Sequence, residues 1–297
     1  MKLLDTRILT YLFLVGAPIT WGGSFVAGKA AVQEIPPFAL AFIRFAASSL
    51  ILVPWVLRKE GKKALPGRKH IPLLVFLGFT GAFLYNIFFL YGLKFNPAGE
   101  SSLVIATNPI LTTIAGALFL RERLTAIQGV ALALAFLGAM ITVTKASPSM
   151  LLSGGIGPHQ LLLFGAPVCW AAFTVAGKKA MAHYSPVTSV AYTCVAGTLF
   201  FLPFAIPQIF GTPWARLSLV AWGSLVYLTI LVTVLAFVWW YAGVERLGAT
   251  RAAVFVNLVP ISGMITAAVL LAEPLLPVHI VGAAMVIGGV ILNQRAV

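Results

Sequence analysis

The sequence predicts an all-α membrane protein of ten transmembrane helices, built as two inverted five-helix repeats around a central cavity. Three observations carry the prediction: apolar runs of membrane-spanning length, a one-sided distribution of basic residues, and an internal repeat with an odd number of helices.

Hydrophobic residues make up 60% of the chain and charged residues 9%, where a soluble domain has roughly a quarter charged. The apolar runs are about 20 residues long, the length that crosses a hydrocarbon core of about 30 Å as helix. Barrel strands alternate every second residue and are about half that length, so a barrel is excluded. Punctuation by Pro, Gly and charge places helices at 8–31, 36–57, 71–94, 98–120, 125–144, 160–182, 186–208, 216–243, 249–271 and 275–294. The first apolar run continues from Ile8 past Trp21 without a cleavage-type small-residue site, so it reads as a membrane helix rather than a signal peptide. Cys169 and Cys194 lie inside apolar segments with no disulfide or metal-ligand spacing and read as small buried hydrophobes.

A formal net charge of +13 would suggest nucleic acid in a soluble chain. Here the basic residues sit at the ends of apolar runs, where they report topology instead. With a cytoplasmic N-terminus, fifteen Lys and Arg fall on the inside, six of them between Arg58 and Lys69. Four fall outside: Lys29, Lys94, Lys145 and Arg216. The expected location is a bacterial inner membrane, multi-pass, with both termini cytoplasmic. The expected partners are the lipid bilayer and a small-molecule substrate, with no nucleic acid, cofactor or metal; the sequence fixes no oligomeric state.

Residues 17–37 (APITWGGSFVAGKAAVQEIPP) align without gaps on residues 166–186 (APVCWAAFTVAGKKAMAHYSP) at an offset of 149. Trp21 pairs with Trp170, Pro37 with Pro186 and Pro54 with Pro203. Later the offset is 151, pairing Gly92 with Gly243, Pro109 with Pro260, Glu122 with Glu273 and Gly138 with Gly289. Each repeat therefore holds five helices: residues 1–146 and 160–297, with 147–159 as a periplasmic linker. Five is odd, so the second copy enters from the opposite side and the repeat is inverted, an arrangement suited to alternating access.

Arg44 lies about 12 Å into the second helix. An intramembrane Arg costs at least about 2.5 kcal/mol and must face protein or a watery cavity. It is either a structural cation bonded to backbone carbonyls or a counter-ion for a substrate carboxylate, which the planar guanidinium fork suits. Asn108-Pro109 and Asn257 to Pro260 interrupt the fourth and ninth helices at corresponding places, and paired interruptions point to a midplane site with the prolines as hinges. Ser101, Ile105, Asn108 and Thr112 share one face at helical spacing, either as a substrate face or as interhelical glue. Trp21, Tyr85, Phe88 and Trp170 either wall a cavity that stacks a planar group or face lipid. Trp239 and Trp240, nearer a helix end, read as interfacial belt residues. Ser24 lies in the same region of the first helix as Trp21. The candidate substrate-binding set is thus Trp21, Ser24, Arg44, Tyr85, Phe88, Ser101, Asn108, Trp170 and Asn257, with Pro109 and Pro260 as hinges.

Gly23 to Lys29 nearly copies a phosphate-binding loop, but it follows no strand and lacks the terminal Ser or Thr. No nucleophile elbow, zinc motif or paired intramembrane carboxylate occurs, so an enzyme is not expected.

Two elements recur in order in the two halves, TWGGSFVAGKAA with CWAAFTVAGKKA and SSLVIATNPILTTIAGALFLRERLT with AAVFVNLVPISGMITAAVLLAEPLL, and the first half carries the Arg-bearing second helix FIRFAASSL between them. Through them nearly the whole chain resembles the drug/metabolite transporter superfamily, in its ten-helix branch of two EamA-type domains, and most of all its YddG-type exporters of aromatic amino acids and metabolites. The resemblance implies a basket of helices one to four and six to nine around the cavity, with five and ten peripheral. It implies export or facilitated diffusion of small metabolites, neutral or aromatic amino acids foremost, by alternating access. A sugar-phosphate or nucleotide-sugar carrier and a drug transporter are the rivals within the superfamily; a non-transporting scaffold is the rival outside it. Thr193 stands where the second half would repeat Arg44, so a symmetric pair of charged contacts is not expected.

Overall fold

The computed structural model describes residues 2–120, 125–144, 158–248, 252 and 254–295. Among them there is no strand, and the helices follow the predicted order. They are α1 (Lys2–Glu34), α2 (Pro37–Glu60), α3 (Arg68–Phe95), α4 (Ala98–Ile105 and Asn108–Leu120), α5 (Ala126–Thr144), α6 (Pro158–Ala180), α7 (Pro186–Gly211), α8 (Leu219–Leu247), α9 (Val254–Asn257 and Leu258–Leu270) and α10 (Pro277–Arg295). Nine are long and apolar enough to span a membrane, and Phe255–Leu270 is a shorter apolar helix. The expected linker 147–159 and Glu122 lie outside the described residues, apart from the first turn of α6.

The packing has the two-fold pattern of an inverted repeat. α2 packs on α7, α4 on α9 and α5 on α10, while α1 lies against α8 and α9 and α6 against α3 and α4. Exchanging each helix with its counterpart five places along leaves this set unchanged. The α5–α10 pair is dense because small residues let the backbones meet: a Cβ on Gly138 would sit 2.7 Å from the Gly282 carbonyl oxygen, and one on Gly289 2.6 Å from that of Ala131.

Helix ends are tied in related pairs. Gln208 at the end of α7 accepts from the Phe38 and Ala39 amides at the start of α2, at 2.9 and 3.1 Å. Glu60 at the end of α2 accepts from the hydroxyls of Ser185 and Thr188 at the start of α7, at 2.7 and 2.9 Å. Glu34, ending α1, accepts from Ser218 ahead of α8; in the related place His183, after α6, stacks on His70 at the start of α3 with centroids 4.1 Å apart.

α3 and α8 each widen into a π-helical stretch, Gly78–Leu84 and Tyr227–Leu235. The stretches begin 149 residues apart and end 151 apart. The two-residue change of repeat offset is therefore the difference between a seven- and a nine-residue π segment, extra residues absorbed inside a continuous helix.

Candidate functional site

A cavity of about 540 Å³ runs between the two halves. At one end it reaches exposed Met181, then Tyr241 and Gln294, at the C-terminal ends of α6, α8 and α10. At the other it stops at Phe25, Phe89 and Ile105; the Phe25 and Phe89 rings meet edge to face at 5.3 Å.

Arg44 is the only charged side chain among the described residues lining it. The residue is 7% exposed. Its Nε donates to Thr233 Oγ1 at 2.8 Å and its Nη1 to Asn86 Oδ1 at 3.2 Å. Both partners belong to the π-helical regions. Thr233 sits in the α8 segment, its hydroxyl donating to the Leu228 carbonyl five residues back at 2.9 Å, and Asn86 follows the α3 segment and donates to the Ala82 carbonyl at 2.8 Å. The wider helix thus aims two side-chain acceptors at one guanidinium. Nη2 has no hydrogen bond among the described residues, and the guanidinium carbon lies 5.1 Å from the Phe45 ring centroid. The backbone carbonyls expected as structural partners are not what holds this cation.

Two aromatic walls flank it. Trp21 lies 5.3 Å from Phe237 and 5.5 Å from Trp240, its indole nitrogen donating at 3.3 Å to the carbonyl of Val232, the neighbour of Thr233. Across the cavity Trp170 lies 5.3 Å from Tyr85 and 5.2 Å from Phe173. Trp240 belongs to this wall, not to an interfacial belt alone.

Ser24 lines the cavity, but its hydroxyl donates back to the Trp21 carbonyl at 2.6 Å. Asn108 and Asn257 line it too, with Pro109 and Pro260. Asn257 donates to Gln294 Oε1 at 3.4 Å. Asn108 Oδ1 is buried without a hydrogen-bond partner among the described residues. α4 breaks at Ala106 and Thr107, and α9 begins as a 3-10 turn that ends at Asn257. Each irregularity lies just ahead of its proline, where the ring displaces the carbonyl four residues earlier.

Two expected contacts are corrected. Ser101 is fully buried outside the lining, donating to the Pro97 carbonyl at 2.7 Å. The break at Ala106 and Thr107 interrupts the helical register that would put Ser101 and Asn108 on one face. Phe88 also lies off the cavity, because Gly165 of α6 gives its ring a seat: a Cβ there would come within 2.7 Å of it. Asn86, Phe173, Thr233 and Phe237 are lining residues that sequence reasoning missed; a search for polar residues within apolar runs would have found Asn86 and Thr233. α10, expected to be peripheral, contributes Val286, Val290 and Gln294.

The EamA-like transporter family matches the chain twice, over residues 8–144 and 158–294. A relative named "Uncharacterized transporter YetK", from Bacillus subtilis, is 32% identical over 98% of this chain and 88% of its own. A "Probable amino-acid metabolite efflux pump" of Salmonella typhimurium is 30% identical, covering 93% and 91%. A "Probable terminal-alkyne amino-acid exporter" of Streptantibioticus cattleyicolor is 29% identical, covering 95% and 92%. One crystal structure superposes on 97% of this chain and 96% of its own with a TM-score of 0.64 at 20% identity, a likeness of fold.

Proposed function

The chain belongs to the EamA-like transporter family, and from that premise we propose that it exports, or lets diffuse, amino acids and related carboxylates with a bulky apolar or aromatic side chain, by alternating access. The observation that carries the reading is Arg44, a lone cation with one nitrogen unbonded among the described residues, set between two aromatic walls in a cavity whose described lining holds no acid. A carboxylate would take the free edge of the guanidinium and a planar side chain the Trp170 or Trp21 wall. Asn108 Oδ1 offers an acceptor to an ammonium group. A cationic drug would meet Arg44 with no compensating acid, which disfavours a drug pump. The names of two relatives as amino-acid exporters or efflux pumps agree in chemistry.

The charge bias orients the protein in a bacterial inner membrane with both termini cytoplasmic. The end that reaches Met181 and Gln294 then faces the cytoplasm, so the cavity is poised to load from inside. Counterflow of labelled phenylalanine into proteoliposomes preloaded with a panel of amino acids tests the function. Saturable exchange restricted to carboxylate-bearing solutes supports it; from well-folded protein, no exchange of any small metabolite would favour a scaffold.

A further inference from the structure

The three residues at which the cavity stops, Phe25, Phe89 and Ile105, are 1%, 3% and 5% exposed. At the offsets of 149 and 151 their repeat mates are Thr174, Trp240 and Val256. All three mates also line the cavity, but they are half-buried and lie toward the open mouth. The same positions thus make a floor in one half and a rim in the other. Bulk is exchanged within the pairs: Phe25 meets Phe89 at the sealed end, whereas at the open end the smaller Thr174 goes with the larger Trp240. The α9–α10 turn is tied across the sealed end as well, Glu273 Oε1 accepting from the Ala98 amide at 2.7 Å and Oε2 from the Gly99 amide at 2.9 Å.

The difference between the ends lies in one pair of helices. α1 packs on the C-terminal part of α3, and this contact has no comparable counterpart between α6 and the C-terminal part of α8. Gly28 is where α1 receives α3. It is buried, and a Cβ on it would lie 2.6 Å from Leu93 Cδ1 and 3.5 Å from Phe89 Cε1. Its mate Gly177 is half-buried, and a Cβ there would meet nothing within 4 Å among the described residues. Val244 and Trp240, the mates of Leu93 and Phe89, are half-buried too. A glycine inside a helix weakens it. Close approach of Leu93 accounts for that cost at Gly28, while at Gly177 nothing in this conformation does.

We propose that Gly177 is the seat of the gate at the open mouth: α6 and the C-terminal part of α8 close on each other, Val244 and Trp240 settling on Gly177 as Leu93 and Phe89 settle on Gly28. Two halves of like structure exchange conformations, so the α1–α3 contact parts as the α6–α8 contact forms. The proposal rests on the alternating-access part of the reading above and names the surfaces that alternate. It is independent of what the cavity carries.

The test needs no substrate. Thr112→Cys in a Cys169→Ala, Cys194→Ala background puts one thiol in the cavity lining, labelled in proteoliposomes by an impermeant maleimide added to either face. Gly177→Leu has open space to occupy in this structure. It should keep labelling from the mouth and slow labelling from the sealed face about tenfold, because a filled seat bars closure. Gly28→Leu overlaps Leu93 and should do the reverse, speeding labelling from the sealed face about tenfold. Labelling from the sealed face that neither variant changes would overturn the proposal. Should Gly28→Leu not insert, a disulfide decides. Gly177→Cys with Val244→Cys, oxidised before the reporter is labelled, should bond and leave the thiol open to the sealed face alone. A bond that leaves the mouth reachable, or no bond in a protein whose parent labels from the sealed face, would overturn the gate. Gating without amino-acid exchange removes the substrate reading and keeps the gate; exchange that Gly177→Leu leaves untouched removes the gate and keeps the substrate reading.

Discussion

α2 and α7 hold equivalent places in the two halves and pack against each other, but one position separates them. Arg44 in α2 draws Thr233 and Asn86 from two other helices. Thr193, its partner at the offset of 149, is equally buried and turns its hydroxyl back on the Ser189 carbonyl at 2.8 Å. At the later offset Asn86 pairs with Phe237 and Thr233 with Ala82, so the acceptors that satisfy Arg44 have no counterparts around Thr193. The packing scheme is repeated in the two halves, whereas the buried cation is not.

Moving the charge breaks the comparison most severely. Arg44→Thr with Thr193→Arg should not restore transport, because the relocated guanidinium finds a phenyl ring and a methyl group in place of Asn and Thr. An uncompensated buried cation costs about 3–5 kcal/mol, visible as a lower melting temperature of the purified protein. Arg44→Lys keeps the charge but loses the fork, and should lower apparent affinity for carboxylate-bearing solutes about tenfold while insertion into the membrane is unchanged. Pro109→Ala and Pro260→Ala sharpen the comparison where the halves agree. Each should slow exchange severalfold more than it lowers the protein level, and normal exchange by the double variant would remove the hinges. Asn86→Ala and Thr233→Val should raise KM a fewfold with maximal rate preserved, since they position Arg44 rather than touch substrate. Thr193→Val should be nearly silent, within twofold in exchange rate, because its lost bond is local to one helix turn.

Much of the fold was legible from few signals. Runs of membrane-spanning length placed the helices, and the offset repeat made their number odd per half. The shift from 149 to 151 was visible too, but not its cause, since a π segment has no composition distinct from the helix around it. Arg44 stood out because a lone cation in an apolar run must face protein or a watery cavity. Phe88 and Ser101 were misplaced for a shared reason: face assignments assume one unbroken register, and the break at Ala106 and Thr107 and the glycine seat at Gly165 are properties of pairs of helices. The contact of Glu273 with the Ala98 and Gly99 amides was hidden by distance in sequence, its donors lying on α4.

The central claim is that Arg44 serves a substrate carboxylate rather than the scaffold, and competition in phenylalanine counterflow tests it most directly. The inhibition constants of phenylalanine and of phenethylamine, which lacks the carboxylate, are compared in the parent chain and in Arg44→Gln, alongside melting temperature. The account predicts that the variant loses about tenfold or more in affinity for phenylalanine, keeps its affinity for the amine, and melts within a few degrees of the parent. Equal losses for both compounds, together with a clearly lower melting temperature, would contradict it and make Arg44 a structural tie between α2, α3 and α8.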